Sequence, residues 1–429
     1  MVTKKVSHIV KRPGLKIGDP IYEIPVAEDL VTEPGARENS PDVDFYSRKY
    51  PLESQAVAYT ADRAWVWTIY TPEGDEAHKE HERMVGPMVS AAIDSADLEP
   101  TAEPVPGEDV TDKIKTEARR LGFGEVGVTR YDRRYTFQDK KKWVRFEHGI
   151  CLALEQDYER TQSIPSSFSE YTHFGTYRNM SQLALILADY IRSLGYHAQI
   201  HSPNDNSAAY IPMFVAAGLG QLGANGQLLS PHFGSRARIM MITTDAPVSY
   251  DDPVDYGIHQ FCQVCQVCVN RCPGRALMRD KVWWRGVEKN KLVYERCRPV
   301  MARFEGCGIC MKACPVQKYG MKPVMEHYVE TGEILGKGTH ELEGYSIEGK
   351  GYFGPGDLPS FDHDFFQIPH GKSEDVLFEQ FKERLKNHEI PEGALGDVEI
   401  KEFRRQVQEV LDSAGGNDML SGIATVQEA

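Results

Sequence analysis

Cysteine is nearly absent from this 429-residue chain except in one short stretch, which holds eight of its nine cysteines. Cys151 stands alone elsewhere, and Met1–Gly14 is basic without the apolar segment of a secretory signal. A network of disulfide bonds is therefore a poor explanation for the clustered cysteines. The chain also lacks the run of about 20 apolar residues that a membrane-spanning helix requires. Paired arginines occur only inside the chain, so no twin-arginine signal is recognisable, and we expect a cytoplasmic protein without a membrane contact.

Acidic residues outnumber basic ones in the chain as a whole, with 63 Asp and Glu against 49 Lys and Arg and a formal net charge of −14. This balance argues against general nucleic-acid binding. Residues 262–322 are the exception, with thirteen Lys and Arg against four Asp and Glu, a local net charge of +9. A basic module on an acidic body fits an external electron carrier such as ferredoxin or flavodoxin, both of them acidic partners. An equally good explanation is that these charges merely balance anionic groups bound within the module.

The clustered cysteines form two runs, each closed by Cys-Pro. The first is Cys262-x2-Cys265-x2-Cys268-x3-Cys272-Pro273, and the second is Cys297 followed by Cys307-x2-Cys310-x3-Cys314-Pro315. This spacing is typical of two-cluster bacterial ferredoxins, in which the cysteine before the proline ligates the cluster of the other run. It predicts two [4Fe–4S] clusters, one held by Cys262, Cys265, Cys268 and Cys314, the other by Cys272, Cys297, Cys307 and Cys310. A zinc ribbon would need two cysteine pairs without these further cysteines.

Helical and extended patterns alternate in the middle of the chain, which predicts a fold of the α/β or α+β class. Helices are predicted over Thr111–Leu121, Arg178–Leu194 and Pro212–Ala217, and strands over Glu125–Thr129, His148–Leu154, Tyr196–His201 and Ala237–Thr244. We expect four segments: an N-terminal wrapping segment (1–110), a core (111–255), the cysteine module (256–322) and a C-terminal segment (323–429) with surface helices over 374–386 and 399–414.

A glycine-rich block before the cysteines carries a family resemblance. No GxGxxG opens a helix after a strand, so a dinucleotide fold is not supported. The block AGLGQLGANGQLLSPHFGSRARI, followed by TTDAPV and the cysteine runs, resembles the cobalamin-dependent reductive dehalogenases over roughly residues 110–322. Epoxyqueuosine reductase resembles it more distantly. The resemblance implies a nitroreductase-like core that binds base-off cobalamin, with a ferredoxin-like module beside it, and no DxHxxG motif is present to place a histidine on cobalt.

The resemblance also implies particular site residues. The cobalamin contacts would be Gly218, Gly220, Gly223, Asn225, Gly226, Ser230 and Arg238. The family's catalytic set of a tyrosine proton donor, an asparagine and a cation maps to Tyr177, Asn204 and Arg236. Tyr171 is the alternative tyrosine and Arg238 the alternative cation. Tyrosine ordinarily titrates near pH 10, and a cation within about 4–6 Å favours its ionised form.

The implied reaction replaces the halogen of an organohalide by hydrogen, using two electrons and one proton. Two other functions compete with it. An epoxyqueuosine-reductase-like enzyme acting on tRNA would need an aspartic acid before the AGLG motif, but Ser207–Gly234 contains no carboxylate. A two-cluster electron-transfer subunit without a corrinoid would not need the large segment upstream of the cysteines.

Overall fold

A computed structural model gives the structure of the protein. It describes residues 2–6, 22–30, 72–136, 140–202, 207–284, 287–292, 294–361 and 365. The predicted surface helices over 374–386 and 399–414, as well as Asn204, lie outside these residues.

Helices and short strands alternate along the described residues. The strands are β1 (Val2–Val6), β2 (Tyr22–Val26), β3 (Glu125–Arg130), β4 (His148–Glu155), β5 (Ala198–His201), β6 (Gln221–Leu222), β7 (Leu228–Leu229), β8 (Ala237–Thr244), β9 (Leu277–Trp284), β10 (Val287–Leu292), β11 (Tyr345–Ile347) and β12 (Gly351–Phe353). The helices are α1 (Pro72–Asp94), α2 (Thr111–Leu121), α3 (Tyr158–Gln162), α4 (Ser167–Ser193), α5 (Ile211–Ala216), α6 (Ile258–Cys265), α7 (Val267–Asn270), α8 (Tyr294–Arg303), α9 (Ile309–Lys312), α10 (Pro315–Tyr319), α11 (Met321–Thr331) and α12 (His340–Glu343).

A four-stranded sheet with the order β3-β4-β8-β5 forms the centre of the core. Strands β4 and β8 pair along their whole length, from His148 opposite Thr244 to Glu155 opposite Ala237. The apolar side chains of this sheet pack with helices α2 and α4 into one buried cluster. The predicted mixture of helix and sheet is confirmed. All neighbouring strands are antiparallel, so the fold is α+β and not the parallel α/β arrangement that alternating strands and helices favour.

The largest difference from the predicted elements concerns helix α4, which begins at Ser167 and not at Arg178. The hydroxyl of Ser166 accepts a hydrogen bond from the backbone N–H of Ser169 (3.2 Å) and caps the helix. The first turns lack an apolar stripe, and the hydroxyls of Thr172 and Thr176 bond to carbonyls one turn earlier. Periodicity alone therefore failed to detect them, and Tyr177 lies inside the helix, not before it.

The cysteine module packs against the core through polar contacts. Tyr158 of α3 donates its hydroxyl to the carbonyl of Lys318 (2.9 Å), and Lys312 donates to the carbonyl of Ile164 (3.1 Å). The side chain of Arg271 is buried and donates to the carbonyls of Glu343, Phe353 and Asp357, which fixes the segment around the hairpin β11–β12 to the module. No helix among the described residues is long and apolar enough to cross a membrane.

Candidate functional site

The first cysteine set lies around a single cavity. Its walls include all four cysteines that the spacing assigns to one cluster, Cys262, Cys265, Cys268 and Cys314, together with Asn225 and Phe261. Helix α6 ends at Cys265, and Gln266 then adopts a left-handed conformation (φ 53°) that turns the chain into α7 and brings Cys268 to the same cavity. Cys314 reaches it from the second run. The structure thus brings together residues from both runs, as the spacing predicts.

The second set is also close together. The pKa of the Cys310 thiol is raised well above its ordinary value, first by burial and then by the neighbouring Cys307, Cys297 and Cys272. A sequence of left-handed residues, Gly306, Cys307 and Gly308, forms the tight turn that leads to Cys310. Three cysteines of this set are partly exposed, whereas three of the first set are buried.

Without a bound metal, burial disfavours ionisation of these thiols. It raises the pKa of Cys262 to about 11 and that of Cys314 to about 12. Thiols with such pKa values lose their protons readily only when a metal takes the place of the proton. Within the part of the chain that the structure describes, no three His, Cys, Asp or Glu side chains converge as ligands of a single metal ion.

Tyr177 lies at the contact between helix α4 and the beginning of strand β8. The guanidinium of Arg238 is 5.1 Å from the centre of the Tyr177 ring. His173, one helical turn earlier, has its ring centre 4.8 Å from that of Tyr177, and His81 of α1 lies 6.3 Å away. Tyr177 is half-buried, and its hydroxyl has no hydrogen-bond partner among the described residues. The tyrosine is thus surrounded by one fixed positive charge and two imidazoles.

The two candidate arginines have different surroundings. Arg236 is fully buried: it forms an ion pair with Glu155 (2.6 Å) and donates to the carbonyls of Phe233 and Gln317. These contacts connect the core to helix α10, which follows Cys314. Arg238 instead binds the side-chain oxygen of Gln156 (2.8 Å) and lies over Tyr177. The cation that the structure brings to Tyr177 is therefore Arg238, whereas the family resemblance pointed to Arg236.

The tyrosine alternatives differ in the same way. Tyr171 lies on the same helix and is 44% exposed, whereas Tyr177 is half-buried under the guanidinium of Arg238. Asn204 lies outside the described residues, so its distance to Tyr177 stays a prediction.

The glycine-rich block folds closely against the chain itself. A Cβ atom on Gly218 would lie 2.6 Å from the carbonyl oxygen of Asp252, and one on Gly220 would meet the backbone of Leu229; both glycines have positive φ. A Cβ on Gly223 would meet the side chains of Leu229 and Asn225, and Gly226 alone of the four faces open space. Packing within the chain is thus a sufficient reason for three of these glycines, and their predicted contact with cobalamin stays a prediction.

The remaining predicted cofactor contacts have partners within the chain. The hydroxyl of Ser230 accepts from the backbone N–H groups of His232 (3.2 Å) and Phe233 (2.9 Å), closing a tight loop. The side chain of Asn225 lines the cavity of the first cysteine set and donates to the carbonyl of Cys310 (3.4 Å). Asn225 is therefore placed beside the cysteines.

Two residues near Tyr177 were missed by the sequence reasoning, His173 and Glu170. The Nδ1 atom of His173 lies 3.2 Å from a carboxylate oxygen of Glu170. Both residues fall in the part of α4 that the apolar stripe did not reveal. Had the helix been extended to its Ser166 cap, the spacings of three and four residues would have placed Glu170, His173 and Tyr177 on one face.

Comparisons with known proteins give the chain its relatives, although no protein-family model matches it. The tetrachloroethene reductive dehalogenase of Dehalobacter restrictus is 30% identical over 220 residues, and one from Desulfitobacterium hafniense is 38% identical over 220 residues. Each match covers 41% of this chain and 39% of the relative. The epoxyqueuosine reductase of Lactococcus garvieae is 28% identical over 199 residues, which cover 43% of this chain and 54% of the relative.

Solved structures agree in fold. A reductive dehalogenase whose structure suggests a mechanism for B12-dependent dehalogenation matches with a TM-score of 0.57 and 22% identity, over 80% of this chain and 55% of the other. The catabolic reductive dehalogenase NpRdhA in complex with 3-bromo-4-hydroxybenzoic acid matches with a TM-score of 0.56 and 23% identity, over 76% of this chain and 54% of the other. The chain spans about two fifths of the length of the dehalogenase relatives given above. Over the stretch that they share, it is a homologue of the reductive dehalogenases, and epoxyqueuosine reductase is a more distant relative.

Proposed function

We propose that the protein is a reductive dehalogenase that removes halide from an organohalide, with Tyr177 as the proton donor. One observation carries the proposal: the same chain places a tyrosine under an arginine and gathers eight cysteines into two sets. A reaction that uses two electrons and one proton needs both parts. The homology supports the class of reaction, and the B12-dependent structural relative supports cobalamin as the second cofactor.

The cysteines fit two [4Fe–4S] clusters. Each cluster takes four thiolates, and the two sets supply four each, with Cys314 and Cys272 exchanged between the runs. The two sets are also close to each other, because Cys310 of the second set raises the pKa of Cys268 of the first. Neighbouring clusters of this kind would carry electrons one at a time through the module.

Buried polar groups around the start of β8, including Arg238 beside Tyr177, fit a polar cofactor such as base-off cobalamin. Buried polar atoms of Arg238 (Nε), Ser235 (Oγ) and Gln317 (both amide atoms) have no hydrogen-bond partner in the described structure. These residues lie near the start of β8 and just after Cys314. Buried groups without partners cost about 1–3 kcal/mol each, and a cofactor rich in amide groups can supply the partners. When bound, cobalamin would supply the strongly reducing cobalt at which the carbon–halogen bond breaks.

The chain's own residues account for the proton. Tyr177 would donate its hydroxyl proton to the carbon that loses the halogen. The guanidinium of Arg238 cannot lose its own proton at neutral pH and would stabilise the negative charge left on the tyrosine oxygen. Gln156 directly follows strand β4, and its side-chain oxygen accepts a hydrogen bond from Arg238 that holds the guanidinium in place. Arg236 would act structurally, by joining the core to helix α10.

Electrons would come from an acidic protein donor such as ferredoxin or flavodoxin through the second cysteine set. Its members Cys297, Cys307 and Cys310 are partly exposed. Two exposed arginines follow Cys272 of this set along the chain. The backbone N–H of Arg275 bonds to the carbonyl of Cys272 (2.9 Å), and Arg279, near the start of β9, donates to the side chain of Asn270, two residues before Cys272 (2.7 Å). Complementary charge would steer an acidic donor to this face.

The alternative of a tRNA-modifying epoxyqueuosine-reductase-like enzyme has weaker support. The epoxyqueuosine reductase of Lactococcus garvieae is 28% identical, against 30% and 38% for the two dehalogenases given above, and Ser207–Gly234 contains no carboxylic acid. An electron-transfer subunit without a corrinoid stays the alternative to be tested by cofactor retention.

The deciding experiment is anaerobic reconstitution with iron, sulfide and hydroxocobalamin, followed by metal analysis, EPR and an assay with halogenated phenols and alkenes. We expect about eight irons and about one cobalt per chain, a base-off Co(II) signal and release of halide. Iron without retained cobalt would reject the dehalogenase and favour the electron-transfer subunit. Retention of cobalt with activity only on epoxyqueuosine-containing tRNA would favour the tRNA-modifying enzyme.

A further inference from the structure

Tyr177 can donate a proton only once before it must be reprotonated. If the protein dehalogenates as proposed, each turnover leaves a tyrosine anion in a half-buried site, and another group must return the proton. Arg238 cannot do so, because a guanidinium keeps its protons at neutral pH. Among the described residues, the imidazoles in ring contact with Tyr177 are His173 on its own helix and His81 on α1.

His173 is held in a defined orientation. Its Nδ1 atom is 3.2 Å from a carboxylate oxygen of Glu170, so that nitrogen donates to the carboxylate and Nε2 is left to exchange a proton. The His173 ring also stacks on Phe174, with centres 5.2 Å apart. Glu170 is nearly buried against the turn before Cys307, where a Cβ atom on Gly306 would come within 2.6 Å of the carboxylate. The cysteine module thus fixes Glu170, and Glu170 fixes His173.

His81 is less suited to the role. It lies 6.3 Å from Tyr177, against 4.8 Å for His173, and its ring is stacked on Phe174 at 4.6 Å. His173 therefore combines the shorter distance with a partner that sets its tautomer.

We propose that His173 is a positioning residue for Tyr177 that orients the phenol and returns a proton to it after each turnover. The tyrosine O–H bond breaks as the proton goes to carbon. His173, neutral at rest, takes a proton from solvent on Nε2. The tyrosine oxygen then takes that proton from the imidazolium, directly or through one water, which leaves His173 neutral again. No electrons move in these last two transfers, and Glu170 stays ionised throughout.

The charges around His173 fit a group that is neutral at rest. Burial is the main cause that lowers the pKa of His173, and Arg238 from β8 lowers it further, whereas Glu170 acts in the opposite direction. His81 is the other titratable group that faces this site from α1. A neutral imidazole can accept a solvent proton and pass it on without leaving a lasting positive charge beside Arg238.

The first test separates one turnover from many. His173→Gln in the reconstituted enzyme should leave the first turnover within about twofold of the wild type, because Tyr177 begins protonated. Steady-state turnover should fall at least about tenfold, and added imidazole should restore much of it. The control is His327→Gln on α11, which should change neither rate. An equal loss in both rates without rescue would show a purely structural role and overturn the proposal, as would an unchanged steady state.

The second test does not depend on dehalogenation. 3-Fluorotyrosine at position 177 gives a 19F signal in the oxidised, diamagnetic holoprotein. We expect this signal to show a titration step below pH 6.5 that reports His173; the step should disappear in His173→Gln and persist in His327→Gln. A signal without such a step would overturn the proposal even in an active enzyme. If the titration step appears in a protein that releases no halide, the dehalogenase function would be rejected, whereas the coupling between His173 and Tyr177 would still be supported.

Discussion

The guanidinium of Arg238 lies over the ring of Tyr177, 5.1 Å from its centre, while Arg236, two residues earlier, is fully buried against Glu155. Two arginines in one short motif therefore belong to different environments. One faces the candidate proton donor, and the other holds the core and the cysteine module together.

Replacing Tyr177 by Phe should abolish most dehalogenation while both cofactors are retained. The ring stays to pack against His173 and Arg238, but the proton is lost. Loss of a positioned general acid typically costs about 10²–10⁴-fold in rate. Halide release and cofactor content would be measured together, with Tyr171→Phe as the control on the same helix. Wild-type rates in a fully loaded Tyr177→Phe enzyme would show that another acid supplies the proton.

Arg238→Gln and Arg236→Gln should fail in different ways. Arg238→Gln should lower the dehalogenation rate with little change in melting temperature. Arg236→Gln leaves the buried carboxylate of Glu155 without its cation and should cost about 3–5 kcal/mol of stability. Adding Glu155→Gln to Arg236→Gln should recover part of this loss, because the uncompensated charge is removed. Thermal denaturation of the four proteins measures the effect, and equal melting temperatures would contradict the structural role of Arg236.

The crossed assignment of the cysteines can be tested with Cys314→Ala. Cys314 lines the cavity of Cys262, Cys265 and Cys268, so its loss should disturb the cluster of the first run although Cys314 belongs to the second. Cys272→Ala should disturb the other cluster in the same way. EPR of the reduced proteins would identify the missing signal in each variant, with Cys151→Ala as the control. If Cys314→Ala and Cys307→Ala lost the same signal, the crossed assignment would be wrong.

Charge reversal near the second cysteine set should slow reduction of the clusters by a protein donor but not by a small reductant. In the double variant Arg275→Glu/Arg279→Glu, reduction of the clusters by reduced ferredoxin or flavodoxin should slow about tenfold at low salt and less at high salt. Reduction by dithionite should be unchanged. Both rates are followed from the bleaching of the clusters, and Arg83→Glu/Arg120→Glu on helices α1 and α2 serves as the charge-matched control. An equal effect of the two double variants would argue against a docking face at this set.

A buried histidine should make the protein sensitive to acid. Burial, reinforced by Lys140 and Arg133, lowers the pKa of His201 from 6.5 to about 3, and both ring nitrogens bond to neutral hydroxyls of Ser207 and Thr243. Its contribution to stability is therefore present above pH 6.5. It is lost as the pH falls towards 3, by about 1.4 kcal/mol per pH unit, because only the unfolded chain takes up the proton.

His201→Gln should thus weaken the decrease in melting temperature between pH 7 and pH 5, although the variant is less stable at pH 7. The control variant His327→Gln, at a half-buried position on α11, should keep the wild-type dependence. Parallel pH profiles for His201→Gln and the wild type would show that other groups account for the acid sensitivity.

The sequence alone predicted several elements because their determinants are local. Helix α2 has its predicted bounds, and Gly122 ends it in a left-handed conformation (φ 112°). Strand β8 also matches its apolar run. Helix α4 was predicted to begin eleven residues too late, because its first turns are fixed by the Ser166 cap and by contacts with α1, which leave no apolar stripe in the sequence.

The cysteine spacing by itself predicted two sets of four cysteines, and the structure places the first set, with Cys314 from the other run, around one cavity. Only the tertiary structure determined which side chains lie next to Tyr177. Arg238 comes from a strand about sixty residues away and His81 from a helix on the other side, so their approach depends on how α1 and α4 pack on the sheet. Two arginines that are equivalent in the sequence have different environments in the structure, because the buried carboxylate of Glu155 pairs with Arg236 and Arg238 lies over Tyr177.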